Sequence, residues 1–372
     1  MDYNIKRFYW LDILRGVAAL SVVFWHWQHF FFNGTFNDMM GKIIDKSHYP
    51  LYHIFRPFYG QGWRAVELFF TLSGFIFFWL YSSKISNKEV GFEKYLTLRI
   101  SRLYPLHVLT LFVVIIAQYC LYHTKGYNFV YNDFSAGAFL ANITLTFDWF
   151  SSAITFNGPS WSLSVEMFLY LVFFLFCIIK FNRWWYALPM IFIGYLLRGT
   201  FLDSMGTGIM SFFAGGCIFY LFNWQMNTWS KKWRIYFAIF SMPLIIIGSI
   251  IFRYIAKIEL PAYFFELAIF PSIILTISLL EASLGYGIGK HLAFIGDISY
   301  STYLWHFPLQ IIFVLAVNFI GKTRAVFYSP VTLLLFFVVL ITISILSYHY
   351  FEKPMQNYLR QKWNNRRLSF RN

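Results

Sequence analysis

Long apolar runs separated by short polar stretches fill the chain. A helix that crosses a bilayer needs about 20 mostly apolar residues. Ten segments approach that length: roughly 9–32, 64–83, 103–123, 161–180, 186–202, 206–224, 235–252, 262–281, 299–320 and 331–351. The fifth is short, and the first contains an arginine. An eleventh apolar stretch, 137–150, follows a polar loop and is too short to cross. We assign it to the interface or to a re-entrant piece, since irregular backbone at membrane depth survives only under protein cover. No internal repeat is visible. The pattern predicts an all-α, polytopic membrane bundle of about ten transmembrane helices: a domain over 1–352, then a basic tail over 353–372.

Composition removes the soluble alternatives. Of 372 residues, 59% are hydrophobic and 12% charged, about half the charge a soluble domain carries. The mean hydropathy is +0.56. The formal net charge is +14. On a soluble protein that would suggest nucleic acid, but here the aromatics lie in the spans, so no nucleic-acid partner is expected. Ten crossings put both termini on one side. With that side cytoplasmic, 19 Lys and Arg lie inside and 10 outside, so the positive-inside rule places both termini in the cytoplasm. The excess charge then faces anionic membrane lipid. Cys120, Cys177 and Cys217 are odd in number, lie in apolar runs and lack CxxC spacing, which argues against disulfides and zinc. The first apolar run reads as an uncleaved helix.

Ionisable residues inside membrane helices are functional candidates, because each costs a few kcal/mol. The first helix holds Arg15 and His26, eleven residues apart. In an α-helix that spacing returns to within about 20° of the same face, about 16 Å further along. One stripe therefore carries a cation in the inner half and a titratable base in the outer half. Glu166, in NGPSWSLSVEMFLY, lies a turn and a half inside its helix, with Trp161 at the interface. It falls in the outer layer with His26 and is expected to orient that base. Glu67 is expected near an outer helix end, within reach of Arg64. Ser73 and Gly74 allow close helix approach. Arg99 and Arg102 share a face at the cytoplasmic mouth of the third helix and suit phosphate. His306 lies about two turns inside the ninth helix. GxGxxG, Walker A, HExxH and EF-hand patterns are absent, so no nucleotide motif and no metal site is expected.

Six motifs, in order, carry a resemblance: RGVAALSVVFWH, VELFFTLSGF, RISRLYP, WSLSVEMFLY, ISYSTYLWHFPL and FEKP. The chain resembles the membrane-bound acyltransferase-3 family, whose members O-acylate surface glycans such as O-antigen. The resemblance implies a multi-pass protein of the bacterial inner membrane that takes an acetyl or similar group from cytoplasmic acyl-CoA. It implies essential roles for Arg15 and His26, acyl-CoA handling by Arg99 and Arg102, and equates Glu166 with the family's WSLxxE acid. Larger members carry a fused extracytoplasmic domain that is absent here. The expectation is an O-acyltransferase, most readily an O-acetyltransferase, with acetyl-CoA as donor and a lipid-linked or surface glycan such as lipopolysaccharide as acceptor. Arg15 would meet the thioester or the pantetheine path. His26 would act as general base or carry the acyl group, and the sequence leaves both open. A transporter or glycan flippase is the alternative, although inverted repeats and paired broken helices are not visible.

Overall fold

The computed structural model describes residues 5–32, 45–149, 155–180, 183–251, 261, 263–285, 287 and 289–369. Among them every regular element is a helix. In chain order those longer than eight residues are α1 (Tyr9–His26), α2 (Tyr52–Ser86), α3 (Phe92–Lys125), α4 (Ala136–Thr144), α5 (Gly158–Ile178), α6 (Trp184–Leu197), α7 (Asp203–Thr228), α8 (Lys231–Ile250), α9 (Phe265–Leu284), α10 (Ser299–Phe319) and α11 (Pro330–Asn365). Eight of them are long and apolar enough to cross a membrane: α2, α3, α5 and α7 to α11. The other two expected spans are the 18-residue α1 and the shorter apolar α6. The chain is a multi-pass membrane protein. The 137–150 stretch forms only the nine-residue helix α4 together with Ala136, capped by the Ser135 hydroxyl at its start and ended by Leu145 at φ 56°.

Two helices reach well beyond their apolar runs. The second span was expected at 64–83, but α2 begins twelve residues earlier. Its first turns carry Tyr52, His53, Arg56 and Gln61, which read as loop by hydropathy. A 3-10 turn at Gly62–Arg64 joins them to the apolar part. Gly62 is required there, since a Cβ would sit 2.1 Å from the Ser21 carbonyl oxygen of α1. Likewise α11 continues through a π turn at Tyr348–Glu352 into the basic segment, so residues 353–365 extend the last span as helix.

The chain divides into two compact units: residues 1–18, 66–91 and 168–297, and residues 19–65, 92–167 and 298–372. The first is built on glycines that let backbones touch. A Cβ on Gly74 would lie 1.8 Å from the Phe212 oxygen, and one on Gly215 2.0 Å from the Thr71 oxygen. Around that crossing Phe75, Phe77, Phe78, Phe173, Phe212 and Phe213 interlock edge to face. Arg198 is placed on an outer segment by the sequence pattern. Here it is bonded to both oxygens of the fully buried Glu266, at 2.7 and 2.6 Å. The core of the second unit is Trp27, Phe30, Phe129, Phe307, Phe327 and Phe336, with Phe30 stacked on Phe327 at 3.8 Å.

Candidate active site: a histidine chain on one polar helix stripe

The second unit gathers its polar side chains on α10. Ser299, Tyr303, His306 and Gln310 follow a 4-3-4 spacing, which lines one helix face, and all four are buried. Proline 308 lacks an N–H, so the Leu304 carbonyl loses its helical donor. The buried Asn157 amide donates to that oxygen instead, at 3.3 Å. The loop before α5 is thereby fastened to the helix that carries His306.

At the end of α1 the backbone tightens into a 3-10 turn, Trp27–Phe31. With three residues per turn, side chains at i and i+3 eclipse, and the His29 ring comes to 4.8 Å from the His26 ring. His306 Nε2 lies 2.9 Å from His26 Nδ1. The two rings are inclined by 14° with centroids 4.9 Å apart. A 2.9 Å nitrogen contact between rings so nearly parallel is edge to edge, not face to face.

The protons of this chain follow from its acceptors. His306 Nδ1 faces the Tyr303 carbonyl oxygen, which can only accept. The proton of neutral His306 is therefore on Nδ1, and its Nε2 presents a lone pair. His26 must donate to that lone pair from Nδ1, which leaves His26 Nε2 unprotonated. Among the described residues no side chain hydrogen-bonds that nitrogen. His26 is half-buried, whereas His29 and His306 have no exposed surface. The arrangement is a base with its tautomer fixed from behind, and it ends on a main-chain oxygen. Among the described residues no three metal-ligating side chains converge as a cation's ligands would.

The Glu166 carboxylate acts on the Tyr300 and Tyr303 hydroxyls. Tyr303 Oη donates to the Pro159 oxygen and accepts from Ser162 Oγ at 2.8 Å. Trp161, half-buried, opens the regular part of α5. The WSLSVE segment thus serves the tyrosines, one turn before His306.

The first turn of α10 meets charged groups. Tyr300 Oη donates to the Leu103 oxygen and feels Glu352, Glu166 and Arg102. The buried Glu352, from FEKP, accepts from Ser301 Oγ at 2.7 Å. Arg99 is 7% exposed, and Arg102 is half-buried. A third arginine, which the sequence reading placed only in the tail, reaches this turn. Arg360 donates from Nε to Ser101 Oγ at 3.2 Å and from Nη2 to the Leu98 oxygen at 3.4 Å. Tyr300 and His306 are six residues apart, about 9 Å along the helix axis.

Near the outer loop, Lys46 Nζ donates to the Tyr59 oxygen at 2.9 Å and sits 3.9 Å over the ring of Trp25, the neighbour of His26. Burial pushes this ammonium down to about 8.

The first unit holds Arg15, Glu67 and Ser73. Arg15 donates from Nη2 to the Gly296 oxygen at 2.8 Å and pairs with Asp12 at 3.1 Å. Asp12 also pairs with Arg7, which bonds Asp297 at 2.7 Å. The approach depends on glycine: a Cβ on Gly296 would lie 2.2 Å from the Asp12 oxygen, and one on Gly16 2.4 Å from Ile295. Arg15 is thus built into an ion-paired turn. Glu67 is 3% exposed, and its carbonyl takes the Thr71 hydroxyl at 2.9 Å. Arg64 bonds Gln61 at 3.0 Å and lies over Trp63. Ser73 is half-buried beside the Gly74 crossing.

The segments RISR, WSLSVE and ISYSTYLWH that meet at α10 all lie within a stretch that has a counterpart among known sequences. The acyltransferase-3 family model, described as an acyltransferase domain, matches residues 8–349. This chain belongs to that family. The acyltransferase is 27% identical over 313 residues to a protein of Acidianus two-tailed virus whose name assigns it to the acetyltransferases, covering 80% of this chain and 82% of that one. It is also 34% identical over 117 residues to protein 2 in the picA locus of Rhizobium radiobacter, covering 32% of this chain and 49% of that one. No solved structure matches the chain. The acyltransferase therefore transfers acyl groups other than aminoacyl groups. Motif reading passed over His29, Gln310 and Arg360, which the structure places against His26, His29 and the RISR turn respectively. The spacing of 299, 303, 306 and 310 on an otherwise apolar helix was the visible signal for Gln310.

Proposed function

We propose that the enzyme moves an acetyl or similar small acyl group from acyl-CoA to a hydroxyl of a surface or lipid-linked glycan in a bacterial inner membrane. The observation that carries this reading is the bare Nε2 of His26, held in its tautomer by His306. In this reading Nε2 takes the proton of the acceptor hydroxyl as its oxygen bonds to the thioester carbon. The C–S bond then breaks, and the imidazolium returns the proton to the departing CoA sulfur. General-base assistance of this kind is worth about 10²–10⁴-fold. Arg99 and Arg102, with Arg360 beside them, would hold the CoA phosphates, because guanidinium forks match phosphate oxygens. Arg15 enters as a contact to the thioester or the pantetheine arm, steadied by Asp12.

Two measurements test this. The mass of the surface glycan from cells with and without the chain should differ by whole acyl groups, and the difference should vanish with His26→Gln. Acyl-CoA binding to the purified protein should weaken in the Arg99→Ala/Arg102→Ala pair and be partly retained when both become Lys. Unchanged glycan mass together with unchanged acyl-CoA affinity in the double-Ala protein would remove the basis of the reading.

A further inference from the structure

We propose that Gln310 and His29 form a clamp that positions His26, with Gln310 as the positioning residue. The proposal rests on the reading of His26 as the base. The Gln310 amide has no exposed surface. Its Nε2 lies 2.8 Å from the His26 carbonyl oxygen. A carbonyl can only accept, so this end of the amide is the NH₂ group. The other end, Oε1, therefore faces His29 Nδ1 at 3.1 Å, and His29 must carry its proton there. The second nitrogen of His29, Nε2, is buried and has no hydrogen-bond partner.

Two consequences follow. The His26 main chain is tied at the junction where α1 passes into its 3-10 turn, so the height of the imidazole is set by α10, the helix that also supplies His306. And all three histidines share one tautomer, with the proton on Nδ1, each for a separate reason: the Tyr303 carbonyl, the His306 lone pair and the Gln310 oxygen. A glutamine suits this task where a glutamate does not. Its oxygen accepts without a charge, which favours a neutral His29 beside the base, and its NH₂ supplies the donor that a carboxylate lacks.

The test uses the full chain in lipid nanodiscs, with acetyl-CoA as the probe and free CoA release as the rate. Gln310→Met and His29→Leu should each lower kcat by about tenfold or more, the loss expected when a buried hydrogen-bond partner is removed. The KM for acetyl-CoA should stay within about twofold. His29→Asn, whose amide N–H stands in for Nδ1–H, should recover most of the rate, and His29→Gln should not. A packing role would move expression and stability and show no such rescue. Nitrogen NMR of histidine-labelled protein gives a readout that does not depend on turnover. Subtraction against His29→Asn should show a His29 ring protonated at Nδ1 and bare at Nε2, and Gln310→Met should mix the two tautomers. A His29 signal protonated at Nε2, or a folded Gln310→Met protein with wild-type kcat, overturns the clamp. An absence of CoA release from the wild type, with the tautomers as stated, sinks the acyl-transfer reading and leaves the clamp standing.

Discussion

Replacing His306 with Leu isolates what that ring does for His26. The side chain is fully buried, and its Nε2 accepts the His26 Nδ1 proton over 2.9 Å. Leucine fills much of the volume but offers no acceptor. The His26 proton is then able to occupy Nε2, the nitrogen that must stay bare, and the ring is free to turn. Stranding a buried donor costs about 1–3 kcal/mol, and each 1.36 kcal/mol is tenfold in rate. Turnover per folded molecule should therefore fall by about 5- to 150-fold. Removing the base outright, as in His26→Gln, should fall at or beyond the upper end of that range. His306→Gln restores an acceptor oxygen near the lost nitrogen and should return the rate to within about fivefold of wild type. The assay is acceptor-dependent CoA release, normalised to folded protein by size exclusion. A folded His306→Leu enzyme with more than half the wild-type rate refutes the orienting role. His306→Gln as slow as His306→Leu would show instead that His306 must itself take up a proton.

Three further outcomes are expected. Gly296→Ala forces a Cβ to 2.2 Å from the Asp12 oxygen and should destabilise the protein by about 1–3 kcal/mol, seen as a lower Tm, whereas Gly60→Ala, with nothing within 4 Å, should hold or raise it. Lys46, pushed down by burial to about 8, keeps a neutral fraction near pH 8, so peptide mapping after mild amine acylation should find its modification rising steeply as pH passes through 8, despite its partial burial. Reporter fusions at residue 372 and within the 33–63 segment should report opposite faces of the membrane, and the same face would undo the proposed topology.

The apolar pattern located nearly every span because burial in lipid demands length and little else. It missed the start of α2, where His53, Arg56 and Gln61 look like loop until a 3-10 turn joins them to the apolar part. The segment 33–44, part of the outer loop expected there, lies outside the described residues. The eleven-residue spacing of Arg15 and His26 was legible because α1 runs unbroken over both. The partner of His26 was not, since His306 is 280 positions away and no local rule joins them. Glu166 was the partner that sequence suggested, because carboxylates commonly orient catalytic imidazoles; its charge acts on the Tyr300 and Tyr303 hydroxyls as well. His29 escaped notice for a local reason: on a regular α-helix, residues 26 and 29 diverge by about 60°, and only the tightened turn brings their rings side by side.

The chain of imidazole protons terminates on the main-chain oxygen of Tyr303, and that has an electrical consequence. A relay that ends on a carboxylate keeps an anion ready to balance the imidazolium; this one keeps none. In a low-dielectric interior an unbalanced cation is expensive. If His26 is the base proposed above, its charged state would be a brief visitor, and the pair of rings would work as a neutral conduit that resets itself. Such a device holds its tautomer without storing charge. It tolerates an apolar surrounding that would protonate a buried acid, and its last acceptor cannot be removed by any single side-chain substitution.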